Sequence, residues 1–126
     1  MELDDFEAKF DINVKNLETK ISKKYPNIGS GRNRTCFQVS PYSILKIPRN
    51  LDGGSDNLRE PIVFKKEKDI FARCRLVVID NIECVLMEHL DIDFPENYPF
   101  PDWVYSIDCA QVGLDRHGNL KAYDYA

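Results

Sequence analysis

No apolar run in the chain approaches the roughly 20 residues of a membrane span. The acidic start MELDDFEAKF carries neither the basic nor the apolar segment of a secretory signal. A soluble, cytoplasmic protein without membrane association is therefore expected. Positive charge is in deficit: 17 Lys and Arg stand against 21 Asp and Glu, a net charge of −4, which disfavours a generally basic nucleic-acid binder. Cysteine is sparse and dispersed. Cys36, Cys74, Cys84 and Cys109 form no C-x-x-C pair, no compact Cys/His ligand set and no nucleophile motif. Neither a zinc site nor thiol catalysis has a spacing signal, and reduced, mostly buried thiols are expected. Internal repeats and low-complexity linkers are absent too. What is present, 43% hydrophobic and 30% charged residues, is a globular composition. At 126 residues it suits one domain with a sizeable core.

Leu3, Phe6, Phe10, Val14, Leu17 and Ile21 recur every three or four residues, which predicts an amphipathic helix over about 3–24. Lys23 and Lys24 suit its negative end, and Pro26 stops it. Such a stripe serves equally to pack on the domain or to bind a partner. Segments 35–39 and 43–47 hold β-branched and aromatic residues around Ser40-Pro41-Tyr42, predicting a hairpin entered through the loop Gly29-Ser30-Gly31. NLDGGSDN is then rich in turn formers, so a helix is expected only over LREPIVFKKEKDIFARC, running towards Phe71, with Pro61 disturbing its start.

RLVVID and ECVLMEHL predict paired antiparallel strands turning at Asn81. DIDFPENYPFPDW, with its clustered prolines and aromatics, predicts an ordered extended crossing rather than a helix. AQVGLD and LKAYDYA predict a closing hairpin that turns through His117-Gly118-Asn119. The expected organisation is one α+β domain, 1–126, made of an N-terminal helix (1–26), a sheet with a helix (27–90), and a crossing segment with a hairpin (91–126). Within it, Lys46 interrupts the apolar strand Ile44-Leu45-Lys46-Ile47. A buried charge without a counter-ion is costly, so Lys46 needs a partner.

Taken in order, these features resemble the N-terminal lobe of the protein-kinase-like superfamily followed by its catalytic-to-metal hairpin. The order is a glycine loop between two strands, a lysine in the second strand, a helix bearing a glutamate, two strands ending in Met-Glu, and a hairpin ending in Asp-Tyr-Ala. The resemblance covers residues 28–47, 56–90 and 111–126. It implies a kinase N-lobe-like antiparallel sheet with an αC-type helix, and ATP and Mg²⁺ as ligands. Gly29 and Gly31 match the first two glycines of G-x-G-x-x-G, where a missing side chain lets amides approach phosphates. Arg34 stands at the third, where it either touches a phosphate or prevents close approach. Lys46 matches the lysine of V-A-I-K and Glu60 its helix-borne partner, with Glu67 on the same helix. Met87 matches the gatekeeper, and Glu88 begins the adenine-facing segment 88–90; a buried strand with Met as core filler fits the same residues.

QVGLDRHGNLKAYDYA aligns without a gap to N-I-L-L-D-x-x-G-x-I-K-x-x-D-F-G, which gives Gln111 and Asp124 the metal-binding positions. Gln111 is neutral, Ala126 replaces the glycine, and Ser106 stands where the catalytic aspartate belongs. Asp108 is the nearest substitute base. The chain as given also ends at Ala126, before an activation segment or acceptor-binding lobe, and phosphoryl transfer depends on positioning. The expectation is a catalytically degenerate kinase-like domain that binds a protein partner, as an inhibitor or adaptor of a phage or bacterial kind, with nucleotide binding vestigial or regulatory. Two alternatives stand beside it: an ATP/Mg-dependent phosphotransferase completed by a partner chain, and a polyanion or nucleic-acid module using Arg32, Arg34, Lys46 and Arg49.

Overall fold

Segments 34–40, 43–48 and 82–88 bury successive residues, and since neighbouring side chains of a strand point to opposite faces, the sheet must be covered on each face. The computed structural model describes residues 3–95, 97–106 and 111–124. Within them, β1 (Asn27–Ser30), β2 (Arg34–Ser40), β3 (Ser43–Pro48), β4 (Cys74–Ile79) and β5 (Ile82–Glu88) form one antiparallel sheet in the order β1-β2-β3-β5-β4. Two helices, α1 (Leu3–Ser22) and α2 (Leu51–Lys66), and a separate hairpin of β6 (Val112–Leu114) and β7 (Leu120–Ala122) complete an α+β architecture.

One sheet face carries Phe37, Leu45, Ile47, Ile82 and Cys84, and α1 covers it with Val14 and Leu17. Around them Phe10 and Ile21 of the stripe are half-buried, whereas Phe6 is 50% exposed. The helix ends at Ser22, just short of the expected boundary. The opposite face carries Ile44, Cys74, Val85 and Met87, packed with Ala72, Leu90, Phe64 and Tyr123. Lys46 shares this second face with Ile44 because the two are two residues apart on β3.

The second helix departs from expectation. It begins at Leu51, inside the segment expected to be a turn, and stops at Lys66 instead of running towards Phe71. Asn50 starts it as N-cap, its Oδ1 accepting the Gly53 N–H at 2.8 Å. Gly53 is required by contact: a Cβ there would lie 2.1 Å from the Asn33 carbonyl oxygen. The glycines that look like turn formers therefore mark a helix pressed against the strand entrance. Pro61 sits inside the helix, not at its start, and offers no N–H to the Asn57 carbonyl.

Asp80 and Asn81 both adopt positive φ, 51° and 65°, as a two-residue hairpin turn between β4 and β5 requires. In the proline-rich crossing the described residues turn rather than run straight, the Tyr98 N–H donating to Pro95 O at 3.1 Å and the Phe100 N–H to Tyr98 O at 3.0 Å, and a 3-10 helix, Asp102–Ser106, follows where no helix was expected. Rings of Phe94, Tyr98 and Phe100 pack on one another with centroids 4.9–5.0 Å apart. Val104 joins Val112 and Ala122 in a small third core. The β6–β7 hairpin is tied to the rest through its backbone. Ala72 N–H donates to Ala122 O at 2.8 Å, Ala122 N–H to Ile70 O at 2.7 Å, and Asp91 and Leu114 exchange bonds of 2.8 Å. These ties carry Tyr123 and Asp124 to β3. Cys74 and Cys84 are buried, Cys36 is half-buried, and all three are free thiols; Cys109 lies outside the described residues. No described helix is long and apolar enough to cross a membrane.

Candidate functional site

Lys46 meets its need for a counter-ion in α2. Its Nζ donates to both carboxylate oxygens of Glu60, at 3.2 and 3.1 Å, and to the Tyr123 carbonyl at 2.5 Å. The two side chains are 3% and 0% exposed. Glu60 reaches β3 because the N-terminus of α2 is docked on the start of β2. There Asn33 Nδ2 donates to Asp56 at 3.2 Å and Arg49 N–H to Asn33 O at 2.7 Å. Glu67, the other candidate, caps the C-terminus of α2 with its backbone, away from this contact.

Arg34 completes the cluster. It is the first residue of β2, paired with Pro48, and its side chain points to the Lys46 face. Its guanidinium grips both oxygens of Glu60, donates to Asn57 Oδ1 at 3.3 Å, and reaches Asp124 Oδ1 at 2.5 Å. Two cations thus face two carboxylates, with no net charge. Burial pulls the Lys46 ammonium below its ordinary range, Glu60 opposing and Arg34 reinforcing the fall. Burial acts on Arg34 the same way, but Glu60 and Asp124 outweigh it and hold the guanidinium above its usual value. Desolvation pushes the nearby Cys36 thiol up, against the pull of Lys46 and Arg34. Among the described residues no buried side-chain nitrogen or oxygen lacks a partner.

Beside the cluster lies a cavity of about 680 Å³, in the about 300–1,000 Å³ range of small-molecule sites. It brings together most of the residues singled out from the sequence: Gly29, Gly31, Arg34, Lys46, Glu88, Gln111 and Asp124 all line it. Glu60 stands directly behind Lys46. Met87 does not line this cavity; it is 1% exposed in the core and borders a separate concavity of about 450 Å³. Of the segment 88–90, the Glu88 and His89 N–H groups are taken by Arg73 O and Tyr42 O, both at 2.8 Å. The Leu90 N–H makes no hydrogen bond among the described residues. Asp108 lies outside the described residues.

Two participants escaped the sequence reading. Asn57 is fully buried, and its Nδ2 clamps Lys46 O at 3.2 Å and Glu83 O at 2.9 Å while Oδ1 receives Arg34. The available signal was its spacing: Asn57 and Glu60 are three apart and share one helix face. The Tyr123 carbonyl, being backbone, left no side-chain signal at all. Arg34 was found, but as a loop residue; its register on β2 gives it to Glu60 and Asp124.

A divalent cation fits this arrangement poorly. Mg²⁺ is held through one or two carboxylates with phosphates and water, and here the candidate donors are Gln111 and Asp124. The Asp124 Oδ1 is already committed to Arg34. No described cluster of three His, Cys, Asp or Glu side chains stands ready for a metal. Of the four cations of the polyanion alternative, Arg34 and Lys46 are buried, whereas Arg32 and Arg49 are exposed, Arg49 donating to Gly31 O at 2.7 Å. No protein-family model, curated protein or solved structure matches the chain.

Proposed function

We propose that the chain is a catalytically degenerate kinase-like domain that acts by binding a protein partner, its nucleotide cavity vestigial or regulatory. The antiparallel order β1-β2-β3-β5-β4, the lysine of β3 paired with a glutamate of the following helix, and an aspartate delivered by a hairpin all support this kinship. The observation that carries the inert reading is the ion pair between Arg34 and Asp124. In a working phosphotransferase that aspartate is free to hold the metal that neutralises the transferring phosphate. Here an internal guanidinium already neutralises it, and a metal must compete with that guanidinium for the carboxylate. With no cation to place, the domain's output is its surface, including the exposed Phe6 and Ile12 of α1.

Transfer of γ-labelled phosphate to the protein and to generic acceptors tests this. The expected yield from the wild type equals that of Lys46→Ala and Asp124→Ala. Transfer by the wild type that both substitutions abolish contradicts the proposal and restores the phosphotransferase.

A further inference from the structure

The buried groups a phosphate chain would use are already committed inside the protein. Lys46 has three N–H donors, and Glu60 Oε1, Glu60 Oε2 and Tyr123 O take them. Arg34 has five, of which four go to Glu60, Asn57 and Asp124. In the glycine loop, the Gly29 N–H bonds Asn27 Oδ1 at 2.9 Å and the Gly31 N–H bonds Arg34 O at 2.9 Å. The charges along the wall also cancel: Arg32, Arg34 and Lys46 against Asp56, Glu88 and Asp124. Glu60, behind them, tips the balance negative. At Lys46, Arg34 and the two glycines a phosphorylated ligand meets committed donors and loses its hydration for little return, and Arg32, exposed at the rim, is the wall cation whose side chain makes no bond among the described residues.

The opposite end of the cavity is different. Ile28, Ile44, Leu90 and Ile92 give it apolar walls, and the Leu90 N–H is without a partner among the described residues. We propose that the cavity takes an uncharged, nucleoside-sized ring ligand in preference to its phosphorylated form, and does so without a divalent cation, Asp124 acting as the built-in competitor for Arg34. This rests on the reading of the cavity as a nucleotide-type site.

Calorimetric titration of the full chain with adenosine and with ATP, each in Mg²⁺ and in EDTA, is the test. Adenosine is expected to bind at least as tightly as ATP, and Mg²⁺ to change either affinity by no more than about twofold, below about 0.5 kcal/mol. Asp124→Ala, at a side chain 45% exposed, leaves Arg34 paired with Glu60 and releases one Arg34 N–H, and thermal unfolding of the variant is expected to match the wild type closely enough for the titration to be read. ATP then gains about tenfold relative to adenosine, the size of one recovered charge-assisted hydrogen bond. Asp124→Asn, which keeps an acceptor but removes the charge, gives a smaller gain in the same direction. A metal-dependent site behaves oppositely: ATP binds the wild type only with Mg²⁺, and Asp124→Ala abolishes it. That result overturns the inference and leaves the nucleotide reading standing. Absence of binding by either ligand overturns both.

Discussion

Glu60 shows what a single residue decides in this molecule. Two buried cations, Arg34 and Lys46, share its carboxylate, and its own exposure is 0%. Removing the carboxylate that a buried cation depends on leaves that cation uncompensated, at a cost of about 3–5 kcal/mol. Glu60→Gln takes from Lys46 its carboxylate, leaving it the Tyr123 carbonyl, and leaves Arg34 only Asp124 as a counter-ion. Lys46→Met strands none, since Glu60 keeps the guanidinium fork of Arg34 and Arg34 keeps Asp124. Urea unfolding is therefore expected to show Glu60→Gln as the larger loss by at least about 1.5 kcal/mol. Equal losses would mean that Arg34 does not share the carboxylate. At this scale the sequence showed the need, because a lysine in an apolar strand demands a counter-ion. It did not show the second cation, because nothing local marks Arg34 as a strand residue facing inward.

Among the elements, α2 is where local propensity and tertiary contact disagree. The paired glycines Gly53 and Gly54 lower helix propensity, and on that ground the segment reads as a loop. The helix forms nonetheless, because Asn50 caps it and its first turns dock on Asn33. The two glycines have opposite reasons to be there. A Cβ at Gly53 would strike the Asn33 carbonyl at 2.1 Å, whereas a Cβ at Gly54 meets nothing within 4 Å. Gly53→Ala is expected to destabilise by about 1–3 kcal/mol through overpacking against backbone. Gly54→Ala is expected to stabilise by about 0.5–1 kcal/mol through helix propensity. Thermal denaturation separates them by sign, and a shared sign refutes the docking of α2 on the strand entrance.

For the whole molecule, a five-stranded sheet has two faces, and this chain covers each with a different device. The α2 face holds the charge cluster and the cavity; the α1 face is a plain apolar core. Leu17 is 1% exposed in that core, while Ile12 on the same helix is 59% exposed. Leu17→Ala is expected to cost about 2–5 kcal/mol, the range for a buried Leu→Ala change, and Ile12→Ala to stay within about 0.5 kcal/mol of wild type. Chemical denaturation of the two variants checks this. A large loss at Ile12 would mean that this part of α1 is covered in solution, as it would be by a second copy of the chain. Neither variant touches the α2 face, so adenosine binding should survive in the folded fraction of both.

The sequence by itself determined the alphabet of elements. Runs of apolar, β-branched and aromatic residues specified β2, β3, β4 and β5, the three-and-four spacing specified α1, and Asn81 and Gly118 sat at turns where positive φ occurs. It also determined that Lys46 must be paired, because desolvating a charge is costly wherever the strand lies. Tertiary structure decided the rest. Which carboxylates answer Lys46 and Arg34 depends on where α2 and the β6–β7 hairpin come to lie, and residues 34, 60 and 124 are brought together only by the sheet register and the backbone ties of Ala122. Short-range preferences act through neighbours a few residues apart, whereas this ion-paired site is assembled from contacts up to 90 residues apart in the chain.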